Sequence, residues 1–497
     1  MTLITNGYIS RYFAETLVLL FFPGSKFPKE GDTSGECVEL TVTESDIVTG
    51  YASIRTPAGE WTAEYTVPAE TAARLSREMQ CKTAAGGAML LAGQQYSGAT
   101  PPWGMLTGVR PVSMVLDMLE KGMTPDEAVR RLTAEFFCQE SKARLAVRTA
   151  CDTRPLITSD VRNMCSVYIA IPFCPSRCEY CSFVSFTSQR LLSLIPEYLT
   201  ALCSQIRSVF ATIGRLGLEV ATVYIGGGTP TTLNVSQLDT LLGVIGECWD
   251  VSRLQEFTLE AGRPDTIDSE KLAVAVRRGI TRISVNTQTL NDAVLAAVGR
   301  RHTAEDFYRA YQTARDSGIQ DINVDLIAGL PGEGKDSFVN SLDQVLALAP
   351  ENITVHTFYV KRGASITKTD REIYRVRDME TTAAVETSVN RIQDAGYAPY
   401  YLYRQKNTTG NLENTGYALP GHPCLYNIYM MEEIHSIFGA GASAMTKLVS
   451  QNRDKKNILR ICEKKYPYEY LAGEDAGGKA EWLYQSASDF YRNFREK

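Results

Sequence analysis

The sequence reads as an α/β chain: a closed or partial (β/α)6 barrel between an N-terminal α+β domain and a smaller C-terminal domain. Three observations lead there. From about residue 166 to 394, β-rich runs alternate six times with helix-like stretches. Before about 160, β-rich runs are followed by helices without that alternation. After about 397, aromatic residues crowd the chain. At roughly 150 residues per domain, a chain of 497 residues accommodates three such bodies, placed at 1–160, 161–396 and 397–497. Its 44% hydrophobic and 22% charged residues exclude a disordered, collagenous or coiled-coil chain.

In the first region, Val38 to Val42, Ile47 to Ile54 and Trp61 to Val67 carry the β-branched and aromatic residues that strands favour, and a long helical stretch runs from about Pro68 to Gln95. Pro101 and Pro102 break the chain. Thr124-Pro-Asp-Glu127 then puts Thr at an N-cap, Pro125 in the first helical turn and Glu127 at the third position, a capping box. The alternating region begins with a strand at Val167 to Phe173 and a helix from about Leu192 to Gly214. Further strands are expected at Thr222 to Ile225, Glu256 to Glu260, Arg282 to Val285, Ile322 to Ala328 and Ile353 to Val360. A helix follows each, the last around Thr381 to Asp394. Repeated βα units predict a parallel sheet covered by helices, and right-handed crossovers gather the strand C-terminal ends on one face, where barrels of this kind hold their chemistry.

The net charge of -6 argues against a bulk electrostatic footprint for nucleic acid. No apolar run approaches the roughly 18 residues of a membrane span. The run Thr16 to Phe22 is too short and wrongly flanked for a secretory signal, so a cytoplasmic location is expected. There, cysteines serve as metal ligands, catalytic groups or small core residues rather than disulfides. Nine of the 12 are scattered singly. Cys174, Cys178 and Cys181 fall within eight residues, in Cys-Pro-Ser-Arg-Cys-Glu-Tyr-Cys, directly after the first barrel strand.

Pro175 blocks regular helix there, and a loop lets three thiolates converge. Three ligands are one short of a structural zinc site, whereas a four-iron cluster held by three cysteines keeps one iron open to a small molecule. An incomplete zinc site or three core cysteines are the alternatives. Gly226-Gly-Gly-Thr-Pro230 follows the second strand, either as a tight turn or as backbone that a ligand approaches closely. Glu260 ends the third strand, in Thr258-Leu-Glu-Ala-Gly-Arg263-Pro-Asp265, as a structural carboxylate paired with arginine or as a ligand group. Asp325, in the fifth strand, is an acid inside an apolar run, which is costly unless paired.

The Cys-x3-Cys-x2-Cys loop resembles the signature of radical S-adenosylmethionine enzymes. Its flanks, Tyr168-Ile-Ala-Ile-Pro-Phe-Cys174 and Tyr180-Cys-Ser-Phe183, are similar to the oxygen-independent coproporphyrinogen III oxidase (dehydrogenase) family. The resemblance covers roughly 165–450, including Asn411 to Tyr417 and Gly439-Ala-Gly-Ala-Ser443. The N-terminal 160 residues match nothing in the best-known members, although a longer, HemZ-type branch carries such an extension. It implies a radical-SAM barrel, a [4Fe-4S] cluster on Cys174, Cys178 and Cys181, and S-adenosyl-L-methionine on the open iron. One-electron reduction then cleaves the cofactor to a radical that abstracts hydrogen. Cofactor contacts fall, by the same resemblance, on Tyr168, Gly227, Gly228, Thr229, Glu260, Gln288, Arg300 and Asp325. Arg300 would pair with a cofactor carboxylate, for which a planar two-donor fork is suited; the alternative is a solvated helix-end arginine.

The implied activity is oxidative decarboxylation of coproporphyrinogen III to protoporphyrinogen IX, with a tetrapyrrole substrate and a low-potential electron donor such as flavodoxin or ferredoxin. Alternatives are a haem-binding chaperone or carrier on the same scaffold, or a radical enzyme acting on another tetrapyrrole. Arg263, Arg301, Lys361, Arg362 and Arg404 are candidate partners for substrate propionates. Tyr400-Tyr-Leu-Tyr-Arg404-Gln-Lys406 combines aromatic faces with cations, as a macrocycle site or as an aromatic core strand with a basic edge. The chain departs from the family's oxidases at Ala170, where they carry histidine, and at Phe183, where they commonly carry a fourth cysteine. It departs from the haem chaperones at Tyr426-Asn-Ile-Tyr-Met-Met431, where they carry a histidine-led haem motif. Cys424 or His422 are the substitutes at hand.

Overall fold

The computed structural model describes residues 1–22, 24–28, 35–106, 110–181, 183–359, 378–404, 409–450, 457–473 and 476–494. Two compact units emerge. One takes Met1–Cys151 and Leu402–Asn414; the other begins at Asp152 and includes Ala383–Tyr401 and Thr415–Lys497 within the described residues.

The N-terminal unit is built on a four-stranded sheet of β1 (Thr2–Asn6), β2 (Cys37–Glu44), β3 (Val48–Thr56) and β4 (Gly59–Thr66), in that order. β1 lies parallel to β2, and the other pairs are antiparallel. The expected long helix forms as Arg77–Ser97, with Ser76 accepting from the Met79 amide as its cap. Its buried Ala84, Ala85, Ala88 and Ala92 are small enough to let it lie close to the sheet. The Thr124–Glu127 capping box is present at the start of the helix Pro125–Phe136. Deep in this unit, Lys142 Nζ lies 2.7 Å from Glu413 Oε1, and Trp103 Nε1 donates to Glu413 Oε2 at 2.8 Å. Both charges are almost wholly shielded, so each depends on the other. Arg404 is buried in the same unit and donates to the carbonyls of Leu106 and Asn411.

The second unit holds the six expected barrel strands: β5 (Met164–Ile171), β6 (Glu219–Gly227), β7 (Glu256–Glu260), β8 (Arg282–Ser284), β9 (Asp321–Ala328) and β10 (Asn352–Thr357). Each pairs in parallel with the next. Helices such as Ile195–Arg215 and Val235–Cys248 make the crossovers and cover the sheet. Buried Val167, Ile169, Val223, Ile225, Phe257 and Leu259 form the core between them, as expected of strands covered by helices.

The barrel is partial. After it come β11 (Ala398–Arg404), β12 (Glu413–Ala418), β13 (Ser436–Ala440), β14 (Met445–Val449) and β15 (Ile458–Cys462). The sheet runs β11-β12-β10-β9-β8-β7-β6-β5-β13-β14-β15. β13 adds parallel to β5 and β12 adds antiparallel to β10, so both margins of the six-stranded arc are hydrogen-bonded. Residues from the stretch beginning at 397 thus extend the barrel sheet itself.

A charged network ties the N-terminal ends of the strands. Glu256, Arg282, Asp321 and Asn352 are the first residues of β7 to β10. Arg282 reaches Glu256 at 3.2 Å, Asp321 at 2.7 Å, and the Asn352 side-chain oxygen. Glu256 also accepts from the amides of Leu425 and Tyr426, neutralising the positive N-terminus of the helix Leu425–Glu432. The Cys424 thiol donates to Glu256, and His422 Nδ1 lies 2.6 Å from Asp321. These two side chains, the reserve haem ligands of the sequence reading, are engaged at the end of the strands remote from the cysteine loop. No described helix is long and apolar enough to cross a membrane.

Replacing Lys142 by Met should strand the Glu413 charge and cost about 3–5 kcal/mol. The pair Lys142→Met with Glu413→Gln should recover most of that loss. Denaturant titration of the single and double variants checks it; equal losses in both would disprove the coupling.

Candidate functional site

The chain leaves β5 into a loop that returns on itself. Phe186 donates its amide to the Pro172 carbonyl at 2.9 Å, and Cys174 donates its amide to the Phe186 carbonyl at 3.1 Å. Between these ties lie Cys174, Cys178 and Cys181. The first two are buried and the third is half-buried. A turn links Cys181 N–H to the Cys178 carbonyl at 3.1 Å, and Glu179 N–H donates to the Val298 carbonyl at 3.1 Å.

The glycine segment after β6 is bound to this loop. Gly228 donates to the Ile171 carbonyl and Thr229 to the Phe173 carbonyl, each at 2.8 Å. A Cβ on Gly228 would stand 2.6 Å from the Phe173 oxygen, and one on Gly226 would stand 2.8 Å from Glu260 Oε2. At Gly228 the neighbour is fixed backbone and leaves no room for a side chain, whereas at Gly226 the Glu260 carboxylate would have to move aside. The Thr229 hydroxyl then lies 3.3 Å from Cys174 Sγ.

Cys178 Sγ has two guanidinium neighbours, Arg263 Nη1 and Arg300 Nη1, each at 3.9 Å. Arg263 is held by two bonds to Asp265, at 2.9 and 3.1 Å, and donates to the Ser176 carbonyl. Arg300 is buried and donates to Tyr180 Oη at 3.0 Å and to the carbonyls of Gly262 and Asn286. Burial raises the Cys174 and Cys181 thiols above their ordinary range, against the lowering effect of neighbouring hydrogen bonds. Metal binding at these thiols therefore displaces protons.

Among the described residues, no three His, Cys, Asp or Glu side chains converge as the ligands of a single ion would. Three thiols spread along one loop suit a multi-iron cluster, where each thiolate takes a different iron. The adjacent guanidinium groups suit the negative charge that three thiolates bring. The buried Ser185 hydroxyl lies beside both Cys174 and Cys181 and lowers each thiol by hydrogen bonding. By donor chemistry and surroundings, this loop fits a [4Fe-4S] cluster.

Facing the loop, the strand ends carry two carboxyls in unlike surroundings. Glu260 accepts from Tyr224 Oη and, at 3.3 Å, from the Gly227 amide. Burial nevertheless pushes it up to about 7, with Asp325 adding repulsion. Burial also acts on Asp325, but hydrogen bonds from His356, Asn323 and Thr354 outweigh it and hold that carboxyl below its ordinary value. His356 Nε2 stands 3.7 Å from Asp325 Oδ2, and Asn323 Nδ2 donates at 2.7 Å. Their environments thus pull the two carboxyls in opposite directions, Glu260 toward holding its proton and Asp325 toward losing it. Gln288 occupies the left-handed region at φ 75° and exchanges backbone hydrogen bonds with Asp325 and Ile327. Tyr224 stacks on Tyr426 with centroids 4.5 Å apart, and Tyr168 lies about 6 Å from each.

Tyr168, Gly227, Gly228, Thr229 and Glu260 thus stand on the neighbouring ends of β5 to β7, with Gln288 and Asp325 on the adjoining segments. Arg300 packs against the cysteine loop. Of the candidate propionate partners, Arg263 is committed to Asp265 and the loop, Arg404 belongs to the N-terminal unit, and Arg301 is exposed. Lys361, Arg362 and Lys406 lie outside the described residues. Sequence reasoning missed Tyr224, His356 and the placement of Tyr426. Tyr224 and His356 were signalled as polar residues inside apolar strand runs; Tyr426 arrives from a distant helix and had no local signal.

A model of the radical SAM superfamily matches residues 168–345. The oxygen-independent coproporphyrinogen-III oxidase-like protein HemZ of Bacillus subtilis is 38% identical over 381 residues, covering 76% of this chain and 75% of its own. The heme chaperone HemW of the same organism is 31% identical over 312 residues, 61% of this chain and 78% of its own. Among solved structures, the coproporphyrinogen III oxidase HemN of Escherichia coli has a TM-score of 0.50 at 21% identity, over 64% of this chain and 71% of that one. That likeness concerns the fold.

The Glu260 environment has a measurable consequence in the metal-free protein. Its carboxyl rises from 4.5 to about 7 on folding, so the protonated form's contribution to stability is full below 4.5 and lost as pH rises to about 7. Glu260→Gln cannot ionise. Its stability advantage over the parent should grow across that window and level off above it, as read by thermal midpoints; a constant difference would contradict the assignment.

Proposed function

The chain belongs to the radical SAM superfamily, within the oxygen-independent coproporphyrinogen-III oxidase-like family, and from that membership we propose that it oxidatively decarboxylates a tetrapyrrole, coproporphyrinogen III, to protoporphyrinogen IX. The family uses a [4Fe-4S] cluster and S-adenosyl-L-methionine. The observation that carries the proposal is the cysteine loop bound to the glycine backbone, facing the Glu260–Asp325 pair.

Cys174, Cys178 and Cys181 would hold the cluster, leaving one iron for the cofactor. The Gly226–Gly228 backbone and Glu260 receive the methionine amino group, since a carboxylate beside unhindered backbone acceptors suits a cation. Ionisation of Glu260, resisted by burial, is favoured when that cation arrives. Thr229 positions Cys174, and Arg300 supports the loop from behind Cys178 while supplying positive charge. Gln288, Asp325 and Tyr168 complete the cofactor surface. Bound there, the cluster and cofactor would supply hydrogen-atom abstraction from a substrate propionate, which would then release carbon dioxide and pass one electron to an external one-electron acceptor. The faces of Tyr168, Tyr224 and Tyr426 offer a flat, largely apolar wall to a macrocycle and exclude water.

The likeness to HemW favours a second reading, a haem carrier. Against it, Tyr426 stands where the chaperones' histidine would lead the haem motif, and its ring is buried against Tyr224. Cys424 and His422 are committed to Glu256 and Asp321.

Anaerobic reconstitution with iron and sulfide, followed by dithionite, S-adenosylmethionine and coproporphyrinogen III, separates the readings. The proposal expects 5′-deoxyadenosine together with carbon dioxide. Deoxyadenosine without carbon dioxide would move the activity to another tetrapyrrole; no deoxyadenosine would sink the enzyme reading. Alanine at Cys174, Cys178 or Cys181 should leave the protein short of a full iron complement and reduce deoxyadenosine to background.

A further inference from the structure

Gln288 stands in a backbone conformation that its side chain disfavours. Its φ of 75° lies in the left-handed region, where a residue other than glycine persists only if its surroundings over-determine it. Part of the hold is its own backbone: the Gln288 amide donates to the Asp325 carbonyl and its carbonyl accepts from the Ile327 amide, each at 2.9 Å. The flanking threonines, both wholly buried, supply the rest. The Thr287 hydroxyl donates to the Thr289 carbonyl, closing the chain around Gln288. The Thr289 hydroxyl accepts from the Asn291 amide at 3.1 Å and donates to Glu333 Oε1.

Glu333 lies past β9, in Gly329-Leu-Pro-Gly-Glu333, just before the helix Lys335–Ala347. It is buried, and burial pushes its carboxyl up to about 7. Ser337 on that helix also donates to Oε1, at 3.2 Å, and accepts from Asn291 Nδ2 at 3.0 Å. Two relays that start at Asn291, one through Thr289 and one through Ser337, therefore end on a single carboxyl oxygen. Ser341 adds a tie one turn further on, accepting from the Leu290 amide at 3.0 Å. The other carboxyl oxygen, Oε2, is buried with no hydrogen-bond partner.

A buried carboxyl that leaves one oxygen unmatched is costly, and an apolar side chain would fill the space without that cost. What an apolar side chain lacks is an acceptor. Here the acceptor orients the Thr289 hydroxyl, and Thr289 is the residue that follows the strained one. We propose that Glu333 is a positioning residue for the cofactor surface: through Thr289 it holds Gln288 in the left-handed conformation in which it meets S-adenosylmethionine. The proposal rests on the radical SAM reading and on Gln288 as a cofactor contact. Glu333 acts through its neighbours and takes no part in the reaction.

The test compares the parent with Glu333→Leu, Thr289→Val and Thr289→Ser, all reconstituted to equal iron content. S-adenosylmethionine is titrated against the paramagnetic resonance signal of the dithionite-reduced cluster, and deoxyadenosine formation is followed in parallel. Cofactor Kd and KM should rise roughly tenfold in Glu333→Leu and Thr289→Val, with kcat at saturating cofactor little changed. Thr289→Ser, which keeps the hydroxyl, should match the parent. The double variant Glu333→Leu/Thr289→Val should bind no more weakly than the worse single variant, since both break one link. Parent-like affinity in the two disruptive variants would overturn the proposal, whatever their thermal midpoints. A loss in Thr289→Ser as deep as in Thr289→Val would assign the effect to packing and overturn it as well. Amide hydrogen exchange in the metal-free protein reads the positioning without cofactor. The Gln288 and Ile327 amides should lose protection in Glu333→Leu and Thr289→Val and keep it in Thr289→Ser. A parent cluster indifferent to S-adenosylmethionine would count against the proposed function, and exchange would then judge Glu333 alone: unchanged protection in the two disruptive variants refutes its role.

Discussion

The closest backbone approach in the site holds the rest of it together. Gly228 lies so near the Phe173 carbonyl that a Cβ would stand 2.6 Å from that oxygen. This contact lets the amides of Gly228 and Thr229, beyond β6, bond to Ile171 at the end of β5 and to Phe173 past it, so two loops behave as one continuation of the sheet. Thr229 is thereby delivered to Cys174, and the preceding glycines to Glu260 on the third strand. A side chain here would separate the sulfur ligands from the surface that faces them.

The two ends of the strands solve opposite electrostatic problems. At the N-terminal ends, Arg282 meets Glu256 and Asp321 directly, and the remaining oxygens are taken by backbone amides, a thiol and His422. Buried charges are tolerated when paired and hydrogen-bonded in this way. At the C-terminal ends the charges are left incompletely matched. Glu260 is pushed toward neutrality while Asp325 is kept ionised by its neighbours, and two guanidinium groups sit beside a thiol. Such mismatches are costly for a folded chain alone and mark where a charged partner is accommodated.

The six βα units were legible because their signal is local: apolar runs of strand length alternate with helical stretches, and the observed strands lie within a few residues of the expected ones. β1 escaped notice, being five residues with little buried surface. The addition of β13 beside β5 and β12 beside β10 was not legible, because such pairing joins segments far apart in sequence, Ser436 to Cys165 and Ala418 to Asn352. In the site, the cysteine spacing and the glycine run could be read directly. Arg263 could not: its fork is matched by Asp265 two residues on, yet its contact with Cys178 comes from folding alone. Arg404 likewise was read as a propionate partner or as part of a basic edge, and proves to be buried and bonded to backbone carbonyls. Side chains whose partners are distant in sequence are the ones that sequence spacing misassigns.

The central claim is that the three-cysteine loop holds a cluster with one iron open to S-adenosylmethionine on the surface made by the glycine backbone and Glu260. Electron paramagnetic resonance of the reconstituted, dithionite-reduced protein tests it most directly, with spectra taken before and after cofactor is added. The account predicts a reduced four-iron signal whose shape changes on addition of S-adenosylmethionine. It also predicts that Gly228→Val, which should force the two loops apart, removes the change. A four-iron signal indifferent to the cofactor, or a response that survives in Gly228→Val, would contradict it.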